Sequence, residues 1–72
     1  MTNKFVRDAN SLYNDTIRRR FNKYYDNEPV SYARIGTMLG ITEQTLKEFA
    51  EGADLLNVFV GKLSRFLNGR GY

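Results

Sequence analysis

The chain has 72 residues, with no cysteine and no histidine. Without disulfides, a domain of this size must rely on efficient packing of its own elements, and the commonest zinc ligands and the usual neutral-pH proton shuttle are missing. No metal, no cofactor and no enzyme activity are therefore expected, and the net charge of +3, with a pI near 9.5, is consistent with an anionic partner.

Apolar segments are short throughout the sequence. None reaches the roughly 20 residues that a helix needs to cross a bilayer, and the N-terminal residues lack the apolar stretch of a signal peptide. We therefore expect a cytoplasmic protein with no membrane partner.

The first predicted element is one long helix over residues 3–25. Asn14 and its polar neighbours compete for backbone hydrogen bonds and could bend or break this helix. Pro29 cannot continue a helix, so the residues just before it form the clearest linker of the chain. Apolar residues recur at three- and four-residue steps along one face of the helix: Phe5, Ala9, Leu12, Tyr13, Ile17, Phe21 and Tyr24.

A short second helix is predicted after Pro29. Ser31 is a suitable N-cap for it. Gly40 ends it, because glycine can take the positive φ that a sharp turn between helices requires. The inward positions predicted for this helix are Ile35, Met38 and Leu39.

A third helix is predicted over residues 43–51. The hydroxyl of Thr42 can accept a hydrogen bond from the amide of Gln44 or Thr45, which makes Thr42 its N-cap, and Gly52 is its natural C-cap. The inward positions are Leu46, Phe49 and Ala50.

The last predicted helix spans residues 54–68, with Asp54 as its N-cap. Residues 70–72 are expected to form a frayed tail. The inward apolar set at helical spacing is Leu56, Phe59, Val60, Leu63 and Leu67. Three further apolar residues fall outside this set and are expected to lie against the first helix: Leu55, Val58 and Phe66. Together the elements predict a single all-α domain, a small helical bundle over residues 1–72.

Residues 31–51 form the most informative segment. Seven positions carry its pattern of buried apolar residues, one small residue and a turn glycine: Ile35, Gly36, Leu39, Gly40, Ile41, Leu46 and Phe49. In type and spacing these residues resemble the helix-turn-helix of the phage repressor and Cro family, whose fold is lambda-repressor-like. That family usually has alanine where this chain has Gly36. The resemblance also implies that Ile41 fills the angle between the two helices. Two packed helices without a nucleic-acid role are the structural alternative.

The resemblance implies that the outward residues of the second motif helix face the partner: Thr42, Glu43, Gln44, Lys47, Glu48 and Glu51. Gln44 could pair with adenine, and Lys47 with guanine or a phosphate. Three carboxylates on this face would repel phosphates, and residues 26–53 hold five acids against two bases, a net charge of −3. Either the glutamates merely stabilise their helix, or the face meets a basic protein surface.

A small helix-turn-helix protein with an acidic recognition face is similar to the modulator-of-repression proteins of temperate phages. The similarity implies an antirepressor that acts in the cytoplasm of a bacterial host. It would bind the N-terminal DNA-binding domain of the lysogeny repressor and so influence the lytic–lysogenic switch, with no small-molecule substrate. Direct, sequence-specific DNA binding in the manner of Cro is the alternative, and an adaptor role is a third hypothesis.

Residues 1–25 hold six bases against two acids, concentrated in Arg18–Arg20 and Lys23. Successive residues of a helix are about 100° apart, so three consecutive arginines spread over roughly 200° and cannot form one tight patch. This spacing favours a solvated face. The candidate contacts to phosphates or to an acidic partner are Arg18, Arg19, Lys23 and Arg34.

Overall fold

The computed structural model describes residues 9–72 and shows a small all-α bundle, which confirms the predicted fold class. The beginning of the predicted first helix, before residue 9, lies outside the described residues. No helix within residues 9–72 is long and apolar enough to cross a membrane. The helices are α1 (Ala9–Asn27), α2 (Tyr32–Leu39), α3 (Glu43–Glu51) and α4 (Asn57–Gly69).

Capping residues set the ends of α2 and α3 as the sequence predicts. The Ser31 hydroxyl accepts a hydrogen bond from the amide of Arg34 (3.2 Å), and the Thr42 hydroxyl accepts one from the amide of Thr45 (3.1 Å). Gly40 ends α2 with a φ of 72°. These local hydrogen bonds replace the partners that the first amides of a helix lack.

Phe21 of α1 lies at the centre of the core. Its ring centroid is 5.8 Å from that of Phe49 on α3 and 6.0 Å from that of Tyr32 on α2, so one side chain joins three helices. Tyr32 in turn stacks on Tyr25 at 4.1 Å. Burial of these large rings supplies much of the hydrophobic stabilisation of a domain this small. The buried apolar residues are Ile17, Phe21, Tyr24, Ile35, Ile41, Leu46, Phe49, Leu55, Val60, Leu63 and Leu67.

The predicted first helix does not break near Asn14, because α1 continues through this residue. Asn14 is fully buried, and its amide nitrogen donates to the carbonyls of Asn10 (2.9 Å) and Leu55 (3.2 Å). Its amide oxygen accepts a hydrogen bond from the backbone N–H of Leu55 (2.7 Å). The residue that was expected to weaken α1 therefore ties it to the segment before α4.

The predicted beginning of α4 at Asp54 is wrong. The Asp54 carboxylate accepts hydrogen bonds from Ser11 and Arg18 instead of capping the helix, and Leu56 occupies the N-cap position without a side-chain bond. Since Asn14 holds the backbone of Leu55, the helix can begin only after this anchored segment. The inward positions change accordingly, with Leu55 buried (7% exposed) and Leu56 exposed (70%).

The exposure of the other apolar residues agrees with their predicted inward or covered positions at Phe66 but not at several others. Phe66 packs edge-on against Tyr24 of α1 at 5.5 Å, as expected for an apolar residue covered by the first helix. Five residues predicted at inward or covered positions are exposed instead: Ala9, Leu12 (54% exposed), Tyr13 (40%), Met38 (48%) and Val58 (59%).

The C-terminal residues do not form a frayed tail. The ring of Tyr72 packs edge-on against Tyr24 at 5.3 Å, and its hydroxyl donates to the Glu28 carboxylate at 2.8 Å. The Tyr72 carbonyl accepts a hydrogen bond from Arg20 at 2.7 Å. Gly71 has a φ of 82°, which lets the chain turn back onto α1 after α4 ends. The end of the chain is therefore part of the folded structure.

Candidate functional site: the exposed face of α3

The outer side of α3 is the candidate site, and its predicted residues share one exposed surface. The opposite side of the helix is fixed in the core by Leu46 and Phe49, neither of which has measurable exposure. All six predicted partner residues are exposed: Thr42, Glu43, Gln44, Lys47, Glu48 and Glu51. We call this set the α3 face.

Among residues 9–72, the three glutamates of the α3 face have no cationic partner within ion-pair distance. Within residues 9–72, Arg18 is the cation that forms the recorded ion pairs, and both of its partners are aspartates away from this face. Lys47 therefore does not neutralise Glu43 or Glu51 by direct contact, although it lies one helical turn from each. No close Lys–Glu pair in the described part of the chain accounts for this acidic surface, although Glu43 lies in the first turn of α3, where a negative charge is favourable.

The Gln44 amide group, a candidate for pairing with adenine, is already hydrogen-bonded within α3. Its side-chain nitrogen donates a hydrogen bond to the Glu48 carboxylate at 3.2 Å, one helical turn further along α3. Pairing with adenine would use the same amide group, so this bond would have to break. The contact keeps the Gln44 side chain beside the carboxylate instead of directing it outward.

Arg18 holds the C-terminal end of α3 against α1. Its guanidinium donates to the carbonyls of Phe49 (2.5 Å) and Ala53 (2.7 Å) and forms ion pairs with Asp15 (2.6 Å) and Asp54 (3.0 Å). It also lies 4.7 Å from the centroid of the Phe49 ring. A cation at the C-terminus of a helix is favourable because the last carbonyls carry partial negative charge. The predicted role of Arg18 in contacting phosphates is therefore wrong, since its side chain is only 11% exposed and every donor group is engaged within the fold.

Arg20 has a similar structural role, with donors to the Tyr72 carbonyl and to the Asn68 side chain. The solvated face predicted for the basic run is thus wrong for Arg18 and Arg20. Most of these partners lie more than 30 residues away, so helical spacing could not predict them, and Asp15, three residues before Arg18, is the local exception. Three predicted contact residues remain exposed: Arg19, Lys23 and Arg34.

Gly36 lies directly against the turn that leads into α3. A Cβ atom at this position would be 2.2 Å from the carbonyl oxygen of Ile41, which is far closer than two such atoms can approach. Ile41 itself is buried, as predicted, and the Gly36 carbonyl accepts hydrogen bonds from the amides of both Gly40 and Ile41. This chain consequently has no room for the alanine that the repressor and Cro family usually carries here.

A shallow hollow of about 430 Å³ lies between α2 and the first turn of α3. Its lining includes Gly40, Thr42 and Glu43. The α3 face is therefore not a simple convex helix surface, because its N-terminal end borders a concavity that can accept a protruding side chain.

No group of three or more metal-ligating side chains is found among residues 9–72. Comparison of the chain with protein-family models, with curated proteins and with solved structures finds no match. The class that the structure defines is a small all-α bundle that exposes a helix face with three carboxylates and one lysine. Any assignment of function has to rest on the chemistry of that face.

Proposed function

We propose that the chain is a phage gene-regulatory protein that binds a repressor through the α3 face and inactivates it. In this proposal α2, the turn at Gly40 and α3 form a helix-turn-helix of the repressor and Cro type. The acidic face of α3 covers the basic DNA-binding surface of the repressor's N-terminal domain. The resemblance to modulator-of-repression proteins supports the proposal, under which the protein acts in the lytic–lysogenic switch.

The observation that carries the proposal is the exposure of Glu43, Glu48 and Glu51 with no bound cation. Three exposed carboxylates gain little from water-screened interactions within their own helix. A surface of arginines and lysines that normally meets phosphates offers the complementary charge, and such complementarity speeds association and selects the partner.

Rigid placement of the face also supports a binding role. Arg18 fixes one end of α3, and Thr42 together with Gly36 fixes the turn at the other end. A recognition surface that is already ordered before binding loses less conformational entropy when the complex forms.

The proposal is tested by calorimetric titration of the N-terminal domain of the repressor encoded beside the gene. The double variant Glu48→Lys, Glu51→Lys should weaken binding by about a hundredfold or more. Its two lysines would face the basic surface of the repressor, so like charges would meet across the interface. The double variant should retain its free energy of unfolding within about 0.5 kcal/mol, since both side chains are exposed.

A matched control separates local contact from overall charge. Asp26→Lys changes the net charge by the same amount as Glu48→Lys, but Asp26 is exposed at the end of α1. We expect Asp26→Lys to bind the repressor domain as the unmodified chain does. Unchanged binding by the double α3 variant, or equal weakening by Asp26→Lys and by the single variant Glu48→Lys, would contradict the proposal.

Direct DNA binding is the second candidate, and the exposed cations Arg19, Lys23 and Arg34 are the observation in its favour. It requires a face with three carboxylates to approach phosphates, which opposes the main source of affinity for DNA. Gel-shift assays at low salt on the phage switch region decide between the two. A specific shift with the purified chain alone, abolished by Lys47→Gln, would favour the DNA-binding function.

A further inference from the structure

A second concave site lies away from the α3 face, between α2 and the C-terminal end of α4. It has a volume of about 340 Å³, which is within the size range of small-ligand pockets. The segment between α1 and α2 forms one wall, and the folded-back C-terminus forms another. Its lining residues are Tyr24, Glu28, Pro29, Val30, Arg34, Met38, Arg70 and Tyr72.

The pocket combines an apolar surface with two arginines that lack acidic partners. Met38 is 48% exposed and shares the lining with Pro29 and Val30, so an apolar group could cover all three. Within residues 9–72, the Arg34 guanidinium forms no hydrogen bond or ion pair, and that of Arg70 lies 4.8 Å from the centroid of the Phe66 ring and forms no ion pair.

One carboxylate also lines the pocket, but it is already engaged. Glu28 accepts the hydrogen bond from the Tyr72 hydroxyl at 2.8 Å. The Arg34 and Arg70 guanidinium groups form no ion pair in the described part of the chain, so both are available to an anion in the pocket. Guanidinium groups bind carboxylates well because two parallel N–H donors match the two oxygens.

We propose that this pocket binds a small organic acid, a carboxylate attached to an apolar body. The carboxylate is held by Arg34 and Arg70, and the apolar body lies on Met38 and Val30. The molecule is a ligand and not a substrate, and this proposal does not depend on the α3 face or on its partner.

Three probes separate the two parts of this recognition, the charge and the apolar body. 3-Phenylpropionate carries both the carboxylate and the ring, 3-phenylpropanamide keeps the shape without the charge, and acetate keeps the charge without the ring. Binding is followed by the NMR signals of the Met38 and Val30 methyl groups. The exposed methyl groups of Leu56 and Val58 on α4 serve as the reference.

We expect saturable shifts of the Met38 and Val30 signals with 3-phenylpropionate, with a dissociation constant in the millimolar range for so small a ligand. Arg34→Gln and Arg70→Gln should each weaken binding by about tenfold, because each removes a charged hydrogen bond. Arg65→Gln is the matched control, since Arg65 is an exposed arginine of α4 outside the pocket.

The proposal is overturned if 3-phenylpropionate causes no saturable shift, if the amide or acetate binds equally well, or if Arg65→Gln weakens binding as much as the pocket variants. A blocked phenylalanyl-glutamate dipeptide presents the same groups on a peptide backbone, and we expect it to bind more weakly because the pocket is small. Tighter binding of the dipeptide would assign the pocket to a protein segment and would also overturn the proposal.

Discussion

Charged residues behave differently on the two sides of the bundle. Along the contacts that α1 makes with α3 and the C-terminal segment, Arg18 and Arg20 bind backbone carbonyls and polar side chains of distant residues. On α3, the carboxylates of Glu43 and Glu51 bind nothing in the described chain. Charged side chains where two elements meet therefore stabilise the fold, whereas the glutamates of the α3 face are available to a partner.

The largest expected effect of a single substitution concerns the turn that presents α3. Gly36→Ala should lower the free energy of unfolding by about 1–3 kcal/mol, because the new Cβ would overlap the Ile41 carbonyl and force the turn to move. Gly61→Ala is the control within α4, where the nearest atom to a new Cβ is the end of the Arg65 side chain at 3.6 Å. It should raise the free energy of unfolding by about 0.5–1 kcal/mol. Urea denaturation measures both, and equal effects would mean that the turn is not tightly packed.

The second prediction compares two neighbouring arginines of α1. Arg18→Met should lower the free energy of unfolding by about 2 kcal/mol, because the carbonyls of Phe49 and Ala53 lose a charged donor while the apolar stem is kept. Arg19→Met should change the free energy of unfolding by less than about 0.5 kcal/mol, since Arg19 is exposed. Thermal unfolding of the two variants tests whether the charge of Arg18 stabilises the fold and that of Arg19 does not. A similar melting temperature for both variants would contradict this difference.

A smaller effect is expected at the C-terminus, and it depends on pH. The hydrogen bond from the Tyr72 hydroxyl to Glu28 raises the pKa of this phenol above its ordinary value of 10.0. The fold therefore favours the protonated phenol, so its contribution is complete below pH 10 and is lost as the pH rises through the folded-state pKa.

Tyr72→Phe removes this contribution and should lower the melting temperature at pH 7. The difference from the unmodified chain should shrink as the pH rises above 10, because the unmodified chain then loses the same bond. Tyr13→Phe is the control, as Tyr13 is 40% exposed and has no recorded hydroxyl bond. A difference that stays constant up to pH 11 would show that the Tyr72 hydroxyl does not support the fold.

The same contrast between local and distant contacts explains what could be predicted from the sequence. Ser31, Gly40, Thr42 and Gly52 act on neighbours within a few residues, so the bounds of α2 and α3 follow from local chemistry. The exposure of the α3 face follows equally from the helical spacing of Leu46 and its apolar neighbours.

Contacts between distant residues could not be predicted in this way. Asn14 reaches Leu55, which is 41 residues away, and thereby moves the beginning of α4 past Asp54. Tyr72 bonds Glu28, 44 residues away, and so converts a predicted tail into part of the fold. Neither polar pair has a periodic signal in the sequence, because each depends on how the helices are packed.

The most direct test of the central claim is NMR titration of the isotopically labelled chain with the N-terminal domain of the repressor and, separately, with operator DNA. The account predicts that the repressor domain shifts or broadens the amide signals of residues 42–51, while DNA alone leaves them unchanged. Perturbation confined to α1 and α4, or a response of residues 42–51 to DNA in the absence of the repressor domain, would contradict it.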